Sequence, residues 1–376
     1  MLKVVCMKNK STEIIILRSI ACLSVLLIHS ITKNPANFES ESTLELFLAY
    51  LQLLLMYGTP MFVFISEFVI AYNYQDKLPN NFMLKRIKFI LLPFIFMGIF
   101  YAITSNYEDG LHSILVQATR NVILGDYHGY FILIIFQFYF LHMIFKKVEK
   151  YFSLRTVMFF SVLINFVYLG FFNFVEPFDI PNVDTEYIWY RYSWIPFPGW
   201  IAFFFMGYYA GAHYESFKDW LAKHPKKILY SWVLTGTMII LFQKYNIITD
   251  ISSKRIDIFL FTISTILLFF YIASNVTLIP KFLKLINRYS FGIYLLHPFL
   301  LDTVSVFILG AIPQIDTVLG SLFINFFVGL LLPIPIVFLL NKLKFGPYIV
   351  GKVAPKLKKA TKLPKYRAYT GSPREY

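Results

Sequence analysis

Apolar runs of close to twenty residues, parted by short polar stretches, dominate the chain from residue 13 to residue 340. At 1.5 Å of rise per residue, about 20 apolar residues cross the hydrocarbon core of a bilayer. Ten runs meet that length, over 13–32, 55–74, 88–105, 129–146, 156–174, 198–214, 228–246, 257–275, 289–308 and 318–340. Only helices and closed barrels satisfy every backbone polar group in lipid. Runs this long therefore predict an all-α integral membrane protein, a bundle of about ten transmembrane helices. The short run at 44–54 reads as an interfacial helix or as an extension of the second span. No soluble domain, internal repeat or long linker interrupts the series.

The polar stretches carry the orientation. With the N-terminus placed inside, the inner segments hold 28 of the 35 Lys and Arg, and the outer ones hold 6 of them with 13 of the 21 acids. Such a bias is the recognised topology signal. It predicts both termini in the cytoplasm, with residues 1–12 as a cytoplasmic N-terminus, 13–340 as the transmembrane domain and 341–376 as a basic, disordered cytoplasmic tail. The first run is expected to stay as an anchor, because Arg18 interrupts it and no small-residue cleavage site follows. Composition agrees: the 376 residues are 57% hydrophobic, with a mean hydropathy of +0.61. The net charge of +14 would suit nucleic acid. Its partition by loop instead assigns it to membrane orientation, so the expected partner is the lipid bilayer and not nucleic acid. Cys6 and Cys22 support neither a disulfide framework nor a metal centre.

Against this background the intramembrane polar residues stand out, since a charge at membrane depth costs at least about 2.5–3.5 kcal/mol and marks function. Arg18 and His29 lie on the first span, eleven residues and roughly 16 Å apart, on nearly one helix face. They read as two stations of one passage, with the imidazole suited to general-base work near neutral pH. Glu67 in the second span is at a depth similar to Arg18, which predicts an ion pair between them. Arg86 and Lys88 open the third span with Lys85 and form a candidate phosphate clamp, and Pro93 is expected to kink that helix. Asp126, His128 and Tyr130 stand at the outer mouth of the fourth span, and Tyr294 and His297 lie within the ninth. Tyr187, Trp189, Tyr190, Tyr192 and Trp194 form an outer aromatic group, either an interfacial belt or a sugar-stacking platform. His297-x4-Asp302 imitates a glycerolipid acyltransferase motif, but its two residues fall on different helix faces. No GxSxG elbow, Walker loop or GxGxxG occurs.

Taken in order, Arg18-x10-His29, Arg86 with Pro93, Tyr130-Phe131 after His128, FFFMGYYAG with Gly207 and Gly211, and SFGIYLLHP resemble the membrane acyltransferase 3 family. The resemblance covers roughly residues 13–340. Ser66-Glu67 departs from it, since the family shows Ser-Gly there. The resemblance implies transfer of an acyl group, acetyl or succinyl, from cytosolic acyl-CoA (acetyl-CoA foremost) to an extracytoplasmic cell-surface polysaccharide, with no metal. His29 would be base or transient acyl carrier and Arg18 would support the donor. Arg86 and Lys88 would hold the coenzyme phosphates. Glu67, Tyr294 and His297 would line the passage, with Asp126, His128 and Tyr130 on the acceptor side. The same residues also suit an export component for a poly-N-acetylglucosamine-type polymer of biofilms, or a subunit of a polysaccharide synthase complex. Either way the expected location is the cell membrane, multi-pass.

Overall fold

The computed structural model describes residues 12–33 and 43–353. Expectations for residues 1–11, 34–42 and 354–376 lie outside the described residues. Among the described residues there are helices and no strand. In chain order they are α1 (Thr12–Thr32), α2 (Thr43–Leu55), α3 (Gly58–Asn73), α4 (Phe82–Arg86), α5 (Leu92–Ser105), α6 (Gly110–Ile123), α7 (Phe131–Val148), α8 (Leu154–Phe174) and α9 (Thr185–Trp194). They continue with α10 (Ile201–Ala212), α11 (Tyr214–Lys223), α12 (Pro225–Lys244), α13 (Ile256–Ser274), α14 (Lys281–Leu300), α15 (Val306–Ala311), α16 (Val318–Leu331), α17 (Pro333–Leu340) and α18 (Gly346–Ile349).

Eight helical segments are long and apolar enough to cross a membrane: 12–32, 43–73, 82–105, 110–151, 154–174, 256–274, 281–311 and 318–340. The 44–54 run is α2, continuous with the second of these. The remaining two expected spans are α10, only 12 residues long, and α12, which has 20 residues but carries lysines at both ends. Lipid-facing apolar surface remains on the outer helices; Phe159, Phe160, Val167 and Phe174 of α8 are exposed. The protein is an all-α, multi-pass membrane protein.

α1 is the central helix and packs on α3, α13, α14 and α16. Its neighbours come close because its contact residues are small. Ser19 Oγ donates to Leu283 O at 2.8 Å and Ser24 Oγ to Tyr57 OH at 2.7 Å. Small and hydroxyl residues do this work in lipid, where apolar side chains gain nothing by leaving the hydrocarbon. The tightest pairing is α3 on α10. A Cβ at Gly207 would stand 2.4 Å from Phe64 O, and one at Gly211 2.5 Å from Phe68 O. Those glycines are required by backbone contact.

Two prolines disturb helices of the bundle. The Pro93 kink expected in the third span takes the form of a π-helical turn over Ile87–Leu91, with Pro93 just after it in a helix unbroken from Phe82 to Ser105; the ring returns no N–H to the turn before it, and the wider turn lies where that bond is missing. α14 likewise runs into a π-helical turn, Leu301–Ser305, just after Pro298.

The fold also extends beyond the expected boundary at 340. Residues 341–353 are ordered: Asn341 Nδ2 donates to Gly351 O at 3.1 Å, and Val353 N–H donates to Asn341 Oδ1 at 3.1 Å. α18 packs on α5. Basic composition hid this, because the amide of Asn341 ties the backbone down. We expect Gly207→Leu to drive α3 and α10 apart and to lower stability by about 1–3 kcal/mol or more. Gly310→Ala, which meets nothing within 4 Å, should leave the thermal unfolding midpoint in detergent unchanged.

Candidate functional site

A cavity of about 910 Å³ runs alongside α1, and both Arg18 and His29 line it. That is near the upper end of the roughly 300–1,000 Å³ typical of small-molecule sites. Eleven residues at 100° each bring the two side chains to one face of α1, as the spacing predicts. Val25, Phe62, Ile65, Phe131, Ile132 and Ile135 give the middle of the cavity apolar walls.

Toward the Thr12 end of α1 the lining is basic: Arg18, Lys85, Arg86 and Lys352. Arg86 is held by its ring neighbours, its guanidinium lying 4.8 Å from the Phe82 centroid and 5.3 Å from that of Tyr139. Among the described residues no carboxylate forms an ion pair with any of these four cations. The Arg86 Nε is buried with no hydrogen-bond partner. Lys85 and Lys352 are exposed, and Arg18 and Arg86 are half-buried; unpaired charge at membrane depth is costly, and an anion with several oxygens removes that cost by bidentate hydrogen bonding to the two guanidinium groups.

Near the other end three histidines meet. The rings of His29 and His297 are 5.0 Å apart between centroids, and those of His128 and His297 are 5.9 Å apart. Pro298 arranges this. It has no N–H to return to Tyr294 O, so the carbonyls one turn back are open to side chains. His297 Nδ1 takes Ile293 O at 2.9 Å and Tyr294 O at 3.0 Å. The Tyr101 hydroxyl inserts into the helix, donating to Leu295 O at 3.0 Å and accepting from Phe299 N–H at 3.1 Å. The His128 ring packs edge-on to Tyr101 and Tyr294, 4.7 Å and 5.6 Å between centroids, and the Tyr294 hydroxyl donates to His128 O at 2.7 Å. With Nδ1–H committed to carbonyls, His297 in its neutral form presents a bare Nε2 lone pair. The Nε2 atoms of His297 and His128 are both buried and without a partner. Among the described residues no group of three or more His, Cys, Asp or Glu side chains is placed to hold a metal.

Beyond the histidines, Asp126, Tyr130, Tyr190, Arg191 and Trp194 line the cavity. Gly125, with φ at 61°, turns the chain out of α6 and presents Asp126. Asp126 forms an ion pair with Arg191, whose Nη1 also donates to Gly125 O at 3.2 Å. Behind this wall lies Lys254, 5% exposed, with no hydrogen-bond partner for its Nζ. That Nζ lies 3.2 Å from the centroid of the Trp194 ring, with Tyr130 and Trp200 farther out at 5.9 Å each. It is held there by its neighbour: Arg255, fully buried, pairs with Asp257 at 2.7 Å and donates to Gln243 Oε1 at 2.6 Å. Burial, and after it the charge of Arg191, pull the Lys254 amine well below its ordinary value. The indole face opposes that shift by favouring the cation.

The structure thus brings Arg18, His29, Arg86, Asp126, His128, Tyr130 and Tyr294 to one cavity. Three expected residues are elsewhere. His297 does not line the cavity and touches it through His29 and His128. Lys88 is exposed, since two residues past Arg86 is 200° around the helix. Glu67 does not pair with Arg18. Its Oε1 meets His142 Nδ1 at 2.5 Å in a fully buried contact between α3 and α7. Ser66 takes the cavity face, and the next residue, 100° on, turns toward α7. Equal depth gave no information on that angle. His142 was findable by the rule that found His29, a titratable side chain inside an apolar run. Lys352 and Lys254 were not, because only tertiary packing brings the one to the cavity and buries the other.

A multi-helix membrane protein with one cavity from a basic end to a histidine cluster is the class these features define. The sequence pattern of the acyltransferase 3 family, described as an acyltransferase domain, matches residues 11–342, and the chain belongs to that family. It is 35% identical over 359 residues, 93% of this chain and 97% of the relative, to the Bacillus subtilis (strain 168) protein named "Putative membrane-bound acyltransferase YfiQ". It is 30% identical over 307 residues, 79% of this chain and 84% of the relative, to the Staphylococcus aureus (strain MSSA476) "Probable poly-beta-1,6-N-acetyl-D-glucosamine export protein". A Staphylococcus epidermidis protein of the same name is 28% identical over 306 residues, 79% of this chain and 83% of the relative. No solved structure matches.

Removing either partner of the Glu67–His142 pair leaves a buried polar group alone. Glu67→Leu or His142→Leu should each cost about 3–5 kcal/mol, and the double variant less than the sum. Thermal unfolding of the four proteins in detergent measures the coupling. For Lys254 the sign follows from its lowered value: the unfolded chain binds the proton more readily, so stability rises with pH up to the ordinary lysine value of 10.5. Lys254→Met should flatten that slope in unfolding experiments between neutral pH and the lysine range.

Proposed function

We propose that the protein is a membrane O-acyltransferase that moves an acetyl or succinyl group from cytosolic acyl-CoA to an extracytoplasmic cell-surface polysaccharide. The observation that carries this reading is the order of groups along one cavity: unpaired cations, apolar sleeve, histidine cluster, then aromatic and charged groups. The Lys and Arg bias of the loops supports the Thr12 end of α1 as the cytoplasmic one. There Arg18, Arg86, Lys85 and Lys352 would hold the coenzyme diphosphate, in a place where an expected contributor, Lys88, is replaced by its neighbours. The pantetheine arm would lie along the apolar sleeve, bringing the thioester toward His29.

His29 would act as general base. Its imidazole takes the proton from an acceptor hydroxyl as that oxygen attacks the thioester carbonyl carbon. The carbon–sulfur bond breaks, and the imidazolium gives its proton to the departing thiolate. The bare Nε2 of His297, packed against the His29 ring, would accept a hydrogen bond from that ring and keep it oriented, while the proton transfer by His29 is the step worth about 10²–10⁴ in rate. Asp126 and Tyr130 would face the acceptor. Tyr294, bonded to His128 O, would fix the cluster.

The second reading, an export component for a poly-N-acetylglucosamine-type polymer, is favoured by the names of the staphylococcal relatives alone. In that case a synthase complex would be the partner. Analysis of the secreted glycan separates the two. His29→Ala and Arg18→Ala should each leave polymer outside the cell while its ester content falls at least about a hundredfold for His29→Ala. Polymer trapped inside would support export, and unchanged ester content in both variants would rule out the enzyme.

A further inference from the structure

Two separate stretches of chain wall the cation end of the cavity. One is the start of the third span, with Lys85, Arg86 and Phe89. The other is the segment after α17, which brings Lys352 and Val353 to the same wall. Past α18 no helix holds residues 350–353, and a side chain does so instead. Asn341, at the end of α17, donates from Nδ2 to Val337 O and to Gly351 O, each at 3.1 Å, and its Oδ1 accepts from Val353 N–H at 3.1 Å. Gly351 has φ at 79°, and a Cβ there would stand 2.3 Å from Phe291 Cδ1. The backbone therefore turns through a left-handed conformation against a ring that itself lines the cavity. Lys352, exposed, keeps its ammonium 5.2 Å from the centroid of Phe89. Phe89 in turn stacks on Tyr348 of α18, 5.8 Å between centroids and 7° between planes. One amide and one glycine thus aim one amine.

We propose that residues 341–353 are a strap across the cation end, that Lys352 on it binds the ribose 3′-phosphate of coenzyme A, and that Asn341 is the positioning residue that brings Lys352 there. The inference rests on acyl-CoA being the donor and adds which residue tells the whole coenzyme from its dephospho form. The order of the cations argues for it. Arg18 and Arg86 are half-buried, and their forked donors suit a diphosphate. Lys85 and Lys352 are exposed at the mouth. With the thioester at His29 and the pantetheine arm in the apolar sleeve, the diphosphate comes next and the 3′-phosphate lies farthest out. The last phosphate therefore reaches the last cations. Of the four cations set around the diphosphate, Lys352 is the one that reaches past it. Its ammonium is a compact charge with three donors, suited to a phosphate that stays largely in water.

The test compares two ligands on the full-length protein in detergent at low salt: coenzyme A, and dephospho-coenzyme A, which lacks only the 3′-phosphate. Titration calorimetry should show the wild type binding coenzyme A about three- to fivefold more tightly, the range of a solvent-exposed ion pair, with the difference shrinking as salt rises. Lys352→Met should remove the preference by weakening coenzyme A more than its dephospho form, and Lys352→Arg should keep it. Asn341→Ala and Gly351→Ala act on the same amine from a distance and should remove the preference too. A purely structural role would instead weaken both ligands by the same factor. Circular dichroism melting is the folding control, and if the Asn341 and Gly351 variants fail to fold, the exposed Lys352 decides. Equal affinity of the wild type for the two ligands, or a full preference in Lys352→Met, overturns the inference. A preference kept in a folded Asn341→Ala overturns the role of the strap. The enzyme reading fails separately. If the preference behaves as described but acetyl-CoA gives up no acyl group, that reading falls and the strap stands. If acetyl-CoA and acetyl-dephospho-CoA bind and react alike, the strap falls and the enzyme reading stands. If neither ligand binds, both fall.

Discussion

A guanidinium inside a membrane-spanning helix cannot face hydrocarbon, and the arrangement of the whole bundle answers that constraint. Arg18 must look into a polar space. The same helical face, eleven residues on, carries His29 into that space. α3, α13, α14 and α16 close around the other faces of α1 with serines and glycines, leaving the polar face open to one cavity. Every later feature is placed relative to that opening: cations at one end, and an ion pair among aromatic rings at the other.

The histidine cluster shows how a local rule becomes chemistry. Proline at 298 withholds one N–H, and the carbonyls of that turn are taken up by His297 and Tyr101. The outcome is an imidazole at 297 whose backbone-facing nitrogen is occupied and whose opposite nitrogen is free. A helix defect thereby sets its tautomer, which a regular helix would leave to chance.

Much of this could be seen in the chain before folding. The α1 spacing needs only 100° per residue. The glycines at 207 and 211 sit at the interval that lets two backbones touch. Depth along a span could be counted, but the angle around it could not, so Glu67 was matched to Arg18 when its partner is His142 on α7. Lys352 looked like part of a solvated basic tail because its order depends on the side chain of Asn341 reaching back over ten residues. Lys254 is an ordinary loop lysine until Arg255 and Asp257 pull the loop inward. Pairwise and tertiary relations of this kind leave no periodic trace in a sequence.

Where α10 lies on α3, carbonyl oxygens come so near the glycine Cα atoms that no side chain separates the two backbones. Such a seam has almost no compliance, since sliding or tilting would drive main-chain atoms together. The two helices therefore behave as one strut. The flank with more slack is the one where α5 and α14 each adjoin a π-helical turn, which carries one residue more per turn than an α-helix would.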